Sequence, residues 1–120
     1  MYTIYGIKNC STMKKAFAYL DQHGLQYSFV DYAKQKPRLQ DLERWREGFG
    51  EWPVNKAGTT FRKFKEAYES ASPAEQAQLL LANPSAIKRP ILEGPGQLLK
   101  GFDPEQWPTE PPVFEQNSKV

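Results

Sequence analysis

The fold is decided by the stretch YTIYGIKNCSTMKKAFAYLDQHGLQYSFVDY, residues 2–32. Its opening residues 2–7 are mostly β-branched or aromatic and end at a polar step, which predicts a short strand followed by a loop. From Ser11 onward apolar residues recur at helical spacing until Gly24, a residue suited to the left-handed position after a helix. A second strand is predicted over residues 26–32. Strand, helix and strand in this order form a βαβ unit with parallel strands.

The middle of the chain is predicted to be helical. Apolar residues at helical spacing follow Pro37, and a second such pattern covers residues 61–68, with a polar loop at 55–60 between them. The segment 72–75, Ser-Pro-Ala-Glu, predicts a helix start with a capping box. That helix is predicted to stop at Asn83-Pro84, because the residue before a proline disfavours helical geometry.

The C-terminal part returns to strands. Residues 90–93 and 97–100 flank Gly94-Pro95-Gly96, which predicts a β-hairpin. A final short helix is predicted to start at Asp103, and the proline-rich residues 108–120 are predicted to be a poorly ordered tail. The element order predicts an α/β fold in which a four-stranded mixed sheet carries flanking helices.

Composition excludes several classes of protein. The chain has 120 residues, one cysteine and one histidine, so it has no internal disulfide framework and no cysteine–histidine metal cluster. A formal net charge of +2 does not suggest a dedicated nucleic-acid or membrane surface. No apolar run approaches the roughly 18 residues of a membrane span, and the first residues do not resemble a secretory signal. We expect a cytoplasmic monomer that binds neither nucleic acid nor membrane.

The single cysteine, Cys10, stands where the first predicted strand gives way to the first predicted helix. At a helix start the unpaired N–H groups and the macrodipole favour an anion, so this position lowers the pKa of a thiol. Ligands of α/β sheets also bind at the carboxyl ends of parallel strands, where this loop lies. A free cysteine is more often a small buried hydrophobe, but polar neighbours favour a reactive thiol here. These neighbours are Lys8, Asn9, Ser11 and Thr12.

Other conspicuous side chains are given structural roles. His23 is predicted to end the first helix and not to act as a general base, because it stands about three turns from Cys10. Trp45 and Trp52 are predicted to pack in the core.

Three segments carry a resemblance to a known family. They are residues 5–16 (YGIKNCSTMKKA), 55–62 (NKAGTTFR) and 87–92 (IKRPIL). Over about residues 1–108 they resemble, in this order, the arsenate-reductase-like (ArsC/Spx/YffB) branch of the thioredoxin superfamily, most closely its YffB-like subgroup. The resemblance implies a thioredoxin-like domain over residues 1–107, interrupted by a helical insertion over about residues 38–86.

The resemblance also implies a chemistry. It places a cysteine nucleophile at Cys10 and an anion-binding arginine at Arg89, joined to Pro90 by a cis peptide bond beside the thiol. Without the motif, the sequence favours a solvated arginine at the start of a strand for Arg89. The residues expected to contact glutathione or another anion are Lys8, Asn9, Ser11, Thr12, Asn55, Thr59, Thr60, Arg62, Arg89, Pro90 and Lys100.

The sequence departs from the family pattern at informative positions. Arsenate reductases of this branch have further arginines around the oxyanion, where this chain has Asn55 and Lys100, and neither can grip an oxyanion as arginine does. Arg62 is the candidate to compensate. Redox-regulating relatives have a C-x-x-C pair, whereas Met13 stands three residues after Cys10 here. A redox cycle in this chain therefore needs an external thiol.

Three functions remain open. The first is a glutathione-dependent monothiol reductase, in which Cys10 attacks a mixed disulfide and a second glutathione releases it. The second is an arsenate reductase supplied with glutathione and glutaredoxin. The third is a binding module like the relatives that contact RNA polymerase, and an inert structural domain is the remaining alternative. Glutathione is expected as co-substrate and glutaredoxin as a further candidate partner, with no bound cofactor or metal.

Overall fold

The computed structural model describes residues 1–112, and the remainder of the predicted tail, 113–120, lies outside the described residues. The chain forms two compact units. The first unit contains residues 1–35 and 89–112, and the second is Lys36–Lys88. The single domain with an insertion over about residues 38–86 stays a prediction.

The first unit is built on a four-stranded mixed sheet with the strand order β2-β1-β3-β4. β1 pairs in parallel with β2 and antiparallel with β3, and β3 pairs antiparallel with β4. This confirms the predicted thioredoxin-like α/β fold, including the hairpin. The strands are β1 (Tyr2–Gly6), β2 (Tyr27–Asp31), β3 (Ile91–Gly94) and β4 (Gln97–Lys100).

Strand directions place several chain segments at one end of this sheet. Because β1, β2 and β4 run in the same direction, their carboxyl ends lie at one edge, together with the start of β3. We call this edge the carboxyl edge. The helix α1 (Ser11–Gln22) follows β1, so its amino end also lies at the carboxyl edge.

The core of the first unit lies between α1 and one face of the sheet. Met13, Ala16 and Leu20 of the helix are fully buried and pack against Ile4 and Leu92 of the strands. Gly24 adopts a φ of 64°, which confirms the left-handed position predicted after the helix. With 12 residues, α1 is the longest helix in the described part of the chain. No helix of that part is long and apolar enough to cross a bilayer.

The second unit is helical. The capping box of Ser72 and Glu75 and the helix end at Asn83 are confirmed. Trp45 is fully buried and Trp52 is 8% exposed, so both predicted core assignments are correct. The helices are α2 (Leu39–Phe49), α3 (Thr59–Arg62), α4 (Lys65–Ser70), α5 (Pro73–Ala82) and a 3-10 turn at Pro84–Ala86.

The helix predicted over residues 61–68 is wrong in one respect, because the segment forms two short helices. The break falls at Phe64, whose φ of −129° lies outside helical geometry. The Phe61 ring meets the rings of Phe64 and Tyr68 edge to face, at 5.5 Å and 5.2 Å. The first of the two helices, α3, begins at Thr59, inside the predicted loop.

The short helix predicted at Asp103 is also wrong, because the chain makes only a turn there. The N–H groups of Gln106 and Trp107 both donate to the Asp103 carbonyl at 3.0 Å, and the pattern then ends. Trp107 precedes Pro108, which disfavours helical geometry. The Trp107 ring is buried and its Nε1–H donates to the Gly101 carbonyl at 3.0 Å, which fixes the turn.

Packing in the first unit continues past residue 107, where the domain was predicted to end. The Tyr2 hydroxyl donates to the Glu110 carbonyl at 3.0 Å, and Pro112 is buried. Residues 108–112 therefore lie against the start of β1, because this hydrogen bond ties them to the sheet. The start of the predicted tail is thus held by this hydrogen bond and by the burial of Pro112.

Candidate functional site

Cys10 is the N-cap of α1, as the sequence predicted. Its φ of −125° and ψ of 134° are extended, and its carbonyl accepts the first helical hydrogen bond from the Lys14 N–H at 3.0 Å. The side chain is half-buried and packs on the core of the first unit. The sulfur therefore lies at the amino end of a 12-residue helix whose first turn holds no acidic residue.

Several contacts act on the pKa of the Cys10 thiol, and their sum lowers it. Partial burial raises the pKa, but the N–H of Met13, the Arg89 side chain and the N–H of Thr12 donate hydrogen bonds that favour the thiolate. The positive charge of Arg89 acts in the same direction. The pKa of Cys10 therefore lies below its ordinary value, which raises the thiolate fraction near neutral pH.

Arg89 reaches the thiol from the start of β3. The Arg89-Pro90 peptide bond is cis, which confirms the bond geometry implied by the resemblance. Pro90 is fully buried, and its carbonyl accepts from the Gly101 N–H at 2.8 Å. Burial of the ring and this hydrogen bond together fix the backbone next to Arg89. Arg89 is half-buried and acts on the pKa of Cys10, which favours an arginine that faces the thiol over a solvated strand-start arginine.

The other candidate residues of the first unit surround Cys10 in the chain or lie along the same edge. Lys8, Asn9 and Ser11 are exposed, and Thr12 is half-buried. Lys100 pairs with Ile91 at the end of β4, and this register places it at the carboxyl edge. The contacts of these residues with a ligand stay predictions.

The remaining candidates belong to the second unit. Asn55 is half-buried, and its carbonyl accepts from the Gly58 N–H at 3.1 Å. The Thr60 hydroxyl accepts from the Ser85 hydroxyl at 3.0 Å, while Thr59 and Arg62 are exposed. Their part in the site stays a prediction.

Sequence reasoning missed the packing beneath the thiol. A Cβ atom at Gly6 would lie 2.5 Å from Met13 Sδ, so the absence of a side chain at the end of β1 makes room for Met13. Met13 is fully buried, and its N–H is one of the donors to Cys10. A glycine directly before the cysteine loop was the available signal. No three His, Cys, Asp or Glu side chains of residues 1–112 are grouped to hold a metal ion.

Comparison with known proteins places the chain in a family. The model of the ArsC family matches residues 5–109. The chain belongs to the ArsC family. A solved structure described as YffB (PA3664) protein is 45% identical, covers 88% of this chain and 94% of that one, and has a TM-score of 0.78.

Two further proteins are similar to this chain over most of their length. An arsenate reductase (ArsC) related protein from Brucella melitensis is 41% identical over 99% of this chain and 95% of that one, with a TM-score of 0.68. An uncharacterized protein from Haemophilus influenzae is 38% identical over 110 residues, or 89% of this chain and 96% of that protein. The global transcriptional regulator Spx of Listeria innocua is more distant, 23% identical over 88% of this chain and 83% of its own length.

Proposed function

We propose that this ArsC-family protein is a glutathione-dependent monothiol reductase. The Cys10 thiolate attacks the glutathione sulfur of a mixed disulfide, forms a Cys10–glutathione disulfide and expels the other sulfur as a thiolate. A second glutathione thiolate then attacks the glutathione sulfur on Cys10, which forms oxidised glutathione and releases the Cys10 thiolate. In sum, the mixed disulfide and one glutathione thiolate give the free thiolate of the substrate and oxidised glutathione, and Cys10 is regenerated.

The observation that carries this proposal is the setting of Cys10. Its sulfur lies at the amino end of α1, with hydrogen bonds from the N–H groups of Met13 and Thr12 and from Arg89. These donors stabilise a thiolate, and the thiolate is the form that attacks a disulfide. They also suit the carboxylates of glutathione, because helix N-termini bind anions.

The absence of a second cysteine determines how the intermediate is resolved. The sequence contains Cys10 alone, and Met13 fills the position where redox-regulating relatives have their second thiol. The protein therefore cannot resolve a mixed disulfide internally, so glutathione must serve as the second thiol. We extend the glutathione site to the other predicted contacts of the first unit, which are Lys8, Asn9, Ser11, Pro90 and Lys100. The contacts predicted at Asn55, Thr59, Thr60 and Arg62 rest on the family resemblance alone.

Mass spectrometry of the intact protein tests the proposal. After incubation with oxidised glutathione we expect one glutathione adduct, located on Cys10 by peptide mapping and removed by reduced glutathione. Cys10→Ser is the matched control and should remain unmodified. The absence of an adduct on the wild-type protein, or an adduct that reduced glutathione does not remove, would contradict the proposal.

Arsenate reduction is a second candidate, favoured by the 41% identity to the Brucella relative described as arsenate reductase related. In this reaction Cys10 attacks arsenic, and glutathione and glutaredoxin complete the reduction. Asn55 and Lys100 stand where arginines are expected, so we expect weak arsenate binding. Arsenite formation by the purified protein with glutathione and glutaredoxin is the test, and its absence would remove this candidate.

A regulatory role is a third candidate, favoured by the similarity to Spx. Such a protein would bind RNA polymerase without turning over a substrate. Complementation of a gene deletion distinguishes the two classes. Full complementation by Cys10→Ser would support binding and contradict the reductase proposal.

A further inference from the structure

Basic side chains of the first unit are gathered at one edge. Residues 1–35 and 89–112 contain six lysines and arginines, and the chain direction places all six at the carboxyl edge. Two follow the ends of β1 and β2, two lie early in α1, and two stand at the start of β3 and the end of β4. These are Lys8 and Lys34, Lys14 and Lys15, and Arg89 and Lys100.

Acidic side chains of the same residues are more dispersed. Asp21 is near the end of α1, and Glu110 lies beside Tyr2 at the start of β1, so these two lie at the opposite edge. Asp103 and Glu105 belong to the turn that follows β4, whose Trp107 carbonyl accepts the Tyr19 hydroxyl at 3.1 Å. Basic charge is therefore concentrated at one edge of this unit, while acidic charge is spread over it.

Two carboxylates of the first unit lie elsewhere. Asp31 ends β2 at the carboxyl edge, where its carboxylate accepts the Ala33 N–H at 3.0 Å. Glu93 lies within the sheet and accepts the Tyr5 hydroxyl at 2.9 Å. Altogether six carboxylates balance six basic side chains in residues 1–35 and 89–112, so the concentration of basic charge at one edge leaves no trace in their net charge.

The basic edge is wider than a small anion. Lys34 follows β2 and Lys100 ends β4, and these strands are three spacings apart in the sheet, about 14 Å. An extended tripeptide spans only about 10 Å. Lys8, Lys14, Lys15 and Lys34 are exposed and make no ion pair with any described residue. Their charges are therefore available to a larger partner.

We propose that the carboxyl edge is a docking surface for an acidic protein that presents a glutathionylated cysteine to Cys10. This inference rests on the proposed reductase function and adds the class of substrate. The Cys10 thiolate forms a disulfide with the glutathione sulfur, and the cysteine of the acidic protein leaves as a thiolate. A glutathione thiolate then releases Cys10 and leaves as oxidised glutathione, so the electrons that reduce the protein cysteine come from glutathione.

The charge arrangement makes this preference measurable as a rate. Steering between opposite charges raises association rates by about 10-fold to 1,000-fold at low salt. It fades as the Debye length falls to about 3 Å at 1 M salt. A docking surface of this kind therefore predicts a preference for acidic substrates that salt abolishes.

The test uses three matched peptides with one central glutathionylated cysteine, flanked by glutamates, lysines or serines. Release of the peptide thiol is measured with glutathione at low and at high salt. At low salt we expect the wild-type protein to reduce the acidic peptide about tenfold faster than the basic one, with the serine peptide between them. At 1 M salt the three rates should converge.

Two charge-matched variants locate the effect. K14Q/K34Q removes two charges from the carboxyl edge, and Q22E/Q26E lowers the net charge equally at exposed positions of the opposite edge, at the end of α1 and just before β2. We expect the first variant to reduce the acidic-to-basic rate ratio about threefold and the second to leave it unchanged. Equal effects of the two variants would overturn the docking surface, because net charge would then explain the preference.

The remaining outcomes separate this inference from the function on which it rests. Equal rates for all peptides in the wild-type protein would overturn the docking surface and leave the reductase intact. A charge preference seen with oxidised glutathione against cystamine, but not among the peptides, would assign the edge to a small anion and also overturn it. No reaction with any peptide, including the serine peptide, would overturn both.

Discussion

The helices α1 and α5 begin in different ways. At α5 the Ser72 hydroxyl accepts the Glu75 N–H at 3.3 Å, and the Glu75 carboxylate accepts the Ser72 N–H, also at 3.3 Å. At α1 the N-cap is Cys10, whose sulfur takes the place of a capping oxygen for the N–H groups of Thr12 and Met13, and the first turn has no acidic residue. One helix start is closed by a hydroxyl and a carboxylate, and the other by a thiol alone.

The difference shows what a helix start can be used for. At α5 a carboxylate neutralises the positive end of the helix dipole, which stabilises the helix. At α1 the same positive end acts on a sulfur, together with Arg89, and lowers the pKa of Cys10. Cysteine is a poor N-cap residue, but at the start of α1 its thiolate is stabilised by the helix dipole and by Arg89.

Replacing Cys10 by serine should remove the functional difference between the two helix starts and abolish activity. In Cys10→Ser the hydroxyl caps α1 as Ser72 caps α5, but no thiolate remains. We expect reduction of hydroxyethyl disulfide with glutathione to fall to the rate of glutathione alone, while the melting temperature stays equal or rises. Activity that persists in the variant would show that the reaction does not use Cys10.

Moving the thiol to the start of α5 tests whether an N-cap position alone is sufficient to make a cysteine reactive. In the Cys10→Ser/Ser72→Cys variant the new sulfur lies at a helix N-cap, but beside the Glu75 carboxylate and without Arg89. We expect alkylation by iodoacetamide at pH 7 to be roughly tenfold slower than for Cys10, because the carboxylate opposes a thiolate. Equal rates at the two positions would mean that Arg89 and the acid-free first turn contribute nothing.

Removing the guanidinium of Arg89 measures its contribution to the lowered pKa of Cys10. Arg89→Ala deletes both a hydrogen bond and a positive charge at Cys10, so the pKa of the thiol should rise. We expect a several-fold slower alkylation at pH 7 and little change above pH 10, where the thiol is ionised in either protein. Arg89→Lys is the control that keeps the charge, and it should fall between the two.

The smallest of the predicted effects is a loss of stability on removal of the Ser72 cap of α5. Ser72→Ala should lower the free energy of unfolding by about 1 kcal/mol at pH 7. Hydrogen bonds from the Ser72 side chain and backbone lower the pKa of Glu75 in the folded protein, so that stabilisation is present above the unfolded pKa and is lost as pH falls through the folded one. Urea unfolding at pH 7 and pH 3 should therefore show a larger gap between the proteins at pH 7.

Local signals predicted much of this molecule. The Ser72 and Glu75 spacing, the Gly24 helix end and the hairpin around residues 94–96 each depend on neighbours in the chain, so the sequence contains what decides them. The same holds for Cys10 as an N-cap. The cis bond at Arg89-Pro90 came from family resemblance and not from residue chemistry.

What the sequence did not predict depends on contacts between distant residues. Gly6 makes room for Met13, and the helix predicted over residues 61–68 breaks at Phe64. The turn at residues 103–107 is held by burial of Trp107. Balanced composition also hid the basic edge, because only the strand order brings its six side chains together.

The ionisation of Cys10 tests the central claim most directly. The rate of iodoacetamide alkylation is measured across pH for the wild-type protein, with Cys10→Ser to subtract any background. Because the donors at the start of α1 favour the thiolate, the midpoint should lie below that of a free thiol, about 8.5. A midpoint at or above that value would contradict the account of a helix start that activates its cysteine.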